Sequence, residues 1–437
     1  MDSETSLIPV SERPSEGREP LHLRYFGLLR SHREFRRLWM AQLISEIGDW
    51  FYSLAVYDLL LETTGSGQAV SYAIIIQLLP WFLMTPLAGF LVDRLPRRQL
   101  MIVADVARGC VVLGLLLARS AADVGLVYAL LGAEVVFASI FEPARSALLP
   151  NLTRPEEILP ANALSSATWS FALTVGGALG GAVTALLGRH FAFVLNSLSF
   201  FVSALLVWRI QVTESHWTAG RRDSPTSRGR AGLANLREGA AYFGRNPRIA
   251  ALVMVKAGLG CMGGALLLLT FFGERVFPIA GQGALAMGLL YAARGAGAGV
   301  GPLLGDHLTG GNERRMWKSV SLGFLVAGMS YVAFSRAPVL PLAMLAVFFA
   351  HMGGSNNWVV STTLLQIHTE DHFRGRVFAV DLGVNMLVAA AATYILGAGL
   401  DVWRIPAPNL ALGLGVVLLV LALLWLPIQA RWGRTPE

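Results

Sequence analysis

The sequence predicts an all-α integral membrane protein with twelve transmembrane helices in two six-helix bundles, and three observations carry that reading. First, 54% of the 437 residues are apolar and 14% are charged, whereas a water-soluble domain carries about 25% charged residues. So few ionised side chains cannot cover a 47.0 kDa molecule, and most of the surface must face something other than water. Second, a helix needs about twenty mostly apolar residues to cross roughly 30 Å of hydrocarbon, and such stretches recur between short polar breaks. Third, the basic residues fall almost entirely in alternate breaks.

The first half supplies spans at 36–61, 69–93, 98–118, 124–149, 161–187 and 190–212. A polar interruption at 213–247, with Arg221, Arg222, Arg228, Arg230, Arg237 and Arg245, separates a bundle at 35–212 from a second at 248–430. The second half supplies spans at 248–273, 283–306, 315–335, 339–366, 376–399 and 406–430. The leading tail, 1–34, mixes Ser, Pro, Glu and Arg and lacks the apolar segment of a secretory signal. A short tail, 431–437, ends the chain. An even number of spans places both termini on one side. Because only Arg119, Arg189, Arg275, Arg336 and Arg404 fall in the opposite loops, that side is expected to be the cytoplasm. Topology therefore accounts for the net charge of +7, and no nucleic-acid partner is needed.

Several chemistries are excluded. The two lysines, Lys256 and Lys318, stand in no phosphate-binding loop. Clustered metal-ligand spacings and a nucleophile elbow are absent from the sequence. No enzyme activity, metal or cofactor is expected, and an ion gradient is left as the energy source. Cys110 and Cys261 lie in apolar runs and are expected to be buried thiols.

Ionisable groups deep in a span are costly and mark function by default. Counting about 1.5 Å per residue, Glu46 and Asp49 in span one, Glu134 in span four and Arg294 in span eight fall near the membrane centre. Glu46 and Asp49 share a face at i,i+3. A carboxylate there that is alternately hydrated and desolvated, or paired with Arg294 and then released, picks up and drops protons; a fixed ion pair is the alternative. Asp105 and Arg108, also i,i+3, are expected to neutralise each other locally, and Asp58 to be interfacial. Candidates for a substrate cavity are Lys256, the polar run His351, Asn356, Asn357 and Trp358 in span ten, and the aromatics Phe51, Trp81 and Trp169. Interhelical hydrogen bonding would use the same span-ten residues. Gly176, Gly177, Gly180 and Gly181 suit close helix approach in span five.

The break after span two reads Gly89-Phe-Leu-Val-Asp93-Arg94-Leu-Pro96-Arg97-Arg98 and resembles the loop signature of the major facilitator superfamily, with Pro96 in place of the usual Gly. A degenerate echo, Gly301-Pro-Leu-Leu-Gly-Asp306, follows span eight. Phe35 to Gln42, Ile47 to Trp50, Phe141 to Pro150 and Ala161 to Ser165 look like the branch that holds macrolide-efflux proteins and the enterobactin exporter. The glycine run in span five is similar to the element associated with the superfamily's exporters. Family packing would bring Asp93, with Arg94, Arg97 and Arg98, beside Glu142 and Arg145 and beside Arg374 and Arg376, as a latch between the two halves; for Arg94, Arg97 and Arg98, anchoring of the topology is the alternative. The resemblance implies alternating-access export of a drug, macrolide or siderophore-like molecule by a monomer, using protons. An importer or lysolipid flippase of the same fold, or a non-transporting sensor or scaffold, are the alternatives.

Overall fold

The computed structural model describes residues 27–154, 157–212, 245–281, 283–310, 312–369 and 371–433. The expected linker and tails lie mostly outside them. The described residues form long helices joined by short turns, with no strand among them. The first six are α1 (Arg33–Thr64), α2 (Gly67–Arg94), α3 (Arg97–Gly114), α4 (Val124–Leu148), α5 (Ile158–Leu187) and α6 (Arg189–Trp208). There follow α7 (Pro247–Val276), α8 (Ala284–Thr309), α9 (Glu313–Ser335), α10 (Leu340–His368), α11 (Asp371–Asp401) and α12 (Ala407–Trp432).

Local chemistry sets these boundaries. Gly65 closes α1 in the left-handed region, at φ 65°, with its N–H on the Leu61 carbonyl. The Ser66 side chain then accepts from the Ala69 N–H and opens α2. Helix α7 tightens into a 3-10 turn at Cys261–Gly264 and ends in a π turn at Phe272–Val276.

Eight described helical segments, in α3, α4, α5, α6, α7, α9, α11 and α12, are long and apolar enough to cross a membrane. Leu117, Leu186 and Leu303 are exposed on the surface, as lipid contact allows. Cys110 is exposed as well. The apolar run around it marks a lipid-facing surface and not a core, which corrects the expectation of a buried thiol.

Helix pairing repeats along the chain. In the first half α2 packs on α4, α3 on α4 and α6, and α1 on α5; in the second, α8 packs on α10, α9 on α10 and α12, and α7 on α11. Two seams join the halves, α5 against α8 and α2 against α11. The proximal end is defined here as the one where α1 begins, and the distal end as the opposite one. At the distal end of the second seam, the Asp401 carboxylate at the end of α11 accepts from Ser66 Oγ, from the Gly67 N–H at 3.1 Å and from the Gln68 N–H at 2.8 Å. It thereby caps the first turn of α2.

Candidate functional site

The site is built on Arg108, which α3 places with 5% of its surface exposed. Its Nε donates to Glu134 Oε1 of α4 at 2.7 Å, and its Nη2 donates to both oxygens of Asp49 on α1 at 3.0 Å. Asp105 Oδ1, one turn earlier on α3, stands 3.8 Å from Nη1. The Asp105 Oδ2 accepts from Ser203 Oγ at 2.6 Å. Phe200 lies flat beneath the guanidinium, 4.0 Å from ring centroid to Cζ. One cation therefore holds three carboxylates from three helices. Asp105 and Glu134 are buried, whereas the Asp49 side chain keeps 33% of its surface open.

Asp49 faces a cavity of about 530 Å³. Glu46 lines the same wall; its Oε1 accepts from Gln42 Nε2 at 2.8 Å, and its inaccessible Oε2 has no hydrogen-bond partner. Gln42 is held in turn by Arg145, which also pairs with Glu142 at 2.8 Å. The exposed Asn162, Ser166 and Trp169, near the start of α5, also line the cavity. The distal side is shut by glycines. A Cβ on Gly176 or Gly180 would stand 3.1 Å from Ile47 O or 3.0 Å from Phe51 Cα, both on α1. A Cβ on Gly177 or Gly181 would stand 3.2 Å from Tyr291 Cβ or 2.6 Å from Ala284 O, both on α8. Alternate pairs of this run thus face two different helices, one on each side of the first seam.

The sequence profile described as Major Facilitator Superfamily matches residues 38–393. The chain belongs to that superfamily. It is 28% identical to the MFS-type transporter YfiS of Bacillus subtilis over 50% of this chain and 51% of that one. It is 25% identical to the enterobactin exporter EntS of Citrobacter koseri, covering 94% and 95% of the two chains. Macrolide efflux protein A of Streptococcus pyogenes is 23% identical over 88% and 95%. A crystal structure of a POT family transporter bound to 5-aminolevulinic acid superposes with a TM-score of 0.71 at 12% identity, covering 92% of this chain and 96% of that one. The last likeness shows the fold alone. The protein is a membrane transporter and not an enzyme.

In this facilitator the expected pairing of Arg294 with Asp49 or Glu134 is not formed. Arg108 occupies that place, because α3 and not α8 packs beside α4. Asp58 is paired with Arg189 at 3.7 Å. Lys256 is buried on α7, with Thr362 Oγ1 at 2.8 Å, Asp381 Oδ2 at 3.7 Å and the Trp358 ring 3.6 Å from Nζ. It therefore neither snorkels nor lines the cavity around Asp49. The span-ten amides tie helices together: Asn357, fully buried, donates to Val320 O at 3.0 Å, and Asn356 reaches Ser319 O at 3.5 Å. His351 shares a hydrogen bond of 3.1 Å with the Tyr331 hydroxyl. Of the two readings open for His351, Asn356 and Asn357, these contacts are those of interhelical hydrogen bonding. Phe51 packs beside Gly180. Arg97 donates to Ala147 O at 2.7 Å and Arg98 to Val207 O at 3.3 Å, at the ends of α4 and α6. The side chains of Trp81, Asp93, Arg374 and Arg376 lie outside the described residues.

Sequence reasoning missed the shared role of Arg108, because its i,i+3 neighbour Asp105 offered a local partner. It also missed Asp381, for which span eleven gives no periodic signal. No cluster of metal-ligating side chains occurs among the described residues.

Proposed function

We propose that the protein is a proton-coupled exporter of a small amphiphilic molecule, working by alternating access across a bacterial cytoplasmic membrane. The single observation that carries this reading is the sharing of Arg108 among Asp49, Glu134 and Asp105 at the wall of a cavity. One guanidinium cannot neutralise three carboxylates in a low-dielectric interior, so the excess negative charge is relieved by a proton that leaves when the site is hydrated. Asp49, the open member of the group, is the exchange point, with Glu46 beside it and Glu134 as the buried counter-charge.

In this reading the twelve helices are twelve crossings, grouped as bundles 35–212 and 248–430 around the cavity and joined by the 213–247 linker. Both termini and the proximal end face the cytoplasm. The glycine seam and the Asp401 cap close the outward side, so the structure represents the inward-facing form. Asp93, Arg94, Arg97 and Arg98 act with Glu142, Arg145, Arg374 and Arg376 as the cytoplasmic latch that closes in the opposite form. Trp169 serves the cavity wall, together with Trp81. Export is favoured over import by the kinship with an enterobactin exporter and a macrolide efflux protein. A sensor or scaffold would have no use for three acids gathered around one buried cation.

The test is flux in proteoliposomes under an imposed pH gradient. Asp49→Asn should abolish gradient-driven transport and leave a folded, monodisperse protein. Undiminished gradient-driven flux in this variant would remove Asp49 from coupling.

A further inference from the structure

Arg294 is a cation with no acid beside it among the described residues. Arg108, Lys256 and Arg145 each have a carboxylate within 4 Å. Arg294 has no ion pair and no hydrogen bond among the described residues, and its Nη1 is inaccessible and unpartnered. It rides on α8 at the seam between the halves, where a Cβ on the next residue, Gly295, would stand 2.6 Å from Thr174 Oγ1 of α5.

The groups around it are aromatic and already engaged. The titratable side chains that act on it electrostatically are Tyr57, Tyr291, Tyr331 and His351. Tyr57 donates to Gln77, Tyr291 to Leu266 O at 3.1 Å, and Tyr331 and His351 bond to each other. Trp50 lies under the guanidinium at 5.9 Å from Cζ to ring centroid, the limit of cation–π range. The same Trp50 stacks edge-on against Tyr291 and lines the cavity. Arg294 itself is only partly buried, and Trp50 is the side chain that borders both the guanidinium and the cavity.

We propose that Arg294, caged by Trp50, Tyr57 and Tyr291, is the subsite for the anionic group of the transported amphiphile. A guanidinium presents paired N–H donors that match a carboxylate or a phosphate monoester, and the surrounding rings suit the adjoining apolar part. The two oxyanions share this chemistry, and the probes separate them. The proposal rests on the transport reading above and narrows its substrate class to amphiphiles bearing one oxyanion.

The experiment is fluorescence binding to the purified full chain in nanodiscs, with three probes of matched length: dansyl-undecanoate, its uncharged primary amide, and a dansyl alkyl phosphate. Wild-type protein should hold at least one oxyanion about tenfold more tightly than the amide, about 1.4 kcal/mol. Arg294→Gln should erase that preference and leave amide binding unchanged. Arg294→Lys, the variant that retains the charge should the first fail to fold, should reduce the preference severalfold. Equal affinity of wild type for all three probes, or a preference undiminished in whichever variant folds, overturns the proposal. The readout is independent of coupling. Asp49→Asn should lose gradient-driven flux and keep the oxyanion preference, whereas gradient-driven transport of the amide by a wild type without preference would sink the subsite and spare the exporter.

Discussion

Arg108 organises the interior at the residue scale, and the electrostatics of burial say what its removal does. Replacing it leaves Asp49, Glu134 and Asp105 facing one another without a cation, and breaking a buried ion group in this way costs about 3–5 kcal/mol. Arg108→Gln is therefore expected to lower the midpoint of thermal unfolding in detergent clearly below that of Asp49→Asn, which removes excess charge; similar midpoints would show that the cluster contributes no net cohesion. Two members of this cluster were legible in the sequence, since Asp49 and Glu134 declare themselves as acids at membrane depth. Their partnership was not. Arg108 is 59 residues from Asp49 and 26 from Glu134, and a helical period reports only neighbours on one helix. The i,i+3 acid beside Arg108 offered a complete local explanation, while Lys256 and Asp381 meet only once α7 and α11 are packed.

Two kinds of close approach hold the halves together at the element scale. On α5, Gly177 and Gly181 let α8 approach until a Cβ on Gly288 would stand 2.6 Å from the Gly177 carbonyl. Gly181→Val forces a branched side chain into this backbone contact, an overpacking penalty of about 1–3 kcal/mol. Part of it is relieved by separating α5 from α8, so the population should move about tenfold or more towards the form open at the distal end. Spin-label distances between the distal ends of α5 and α8 check this, and an unchanged distribution would show that the seam absorbs the methyls in place. The glycine run was readable as a packing device, but that its alternate pairs address two helices on opposite sides of a seam was not. Sequence spacing gives the faces of a helix and leaves open which neighbour each one meets. Hydropathy also has a limit here: α1, α8 and α10, of 32, 26 and 29 residues, are absent from the strongly apolar set. They carry Glu46 and Asp49, Arg294, and the amides Asn356 and Asn357, whose polarity lowers the mean hydropathy of their helices.

For the whole molecule, the repeated pairing of helices in the two halves predicts a topology that labelling can read. With Cys110 and Cys261 replaced by serine, a cysteine at Ser120, in the turn before α4, should react with an impermeant maleimide in intact cells. One at Asn312, before α9, should react only in everted vesicles. Reversal of this pattern would invert the inward-facing assignment. The distal closure carries an asymmetry of its own. Asp401 serves the leading amides of α2 only while the halves touch at the distal end; when they part in the proposed cycle, those N–H groups lose their acceptor and water must take its place, at about 1 kcal/mol for a lost cap. In the proposed cycle the molecule thus behaves like a door with a return spring: shut at its distal end when idle, and swung open there only for as long as cargo or proton leans on it.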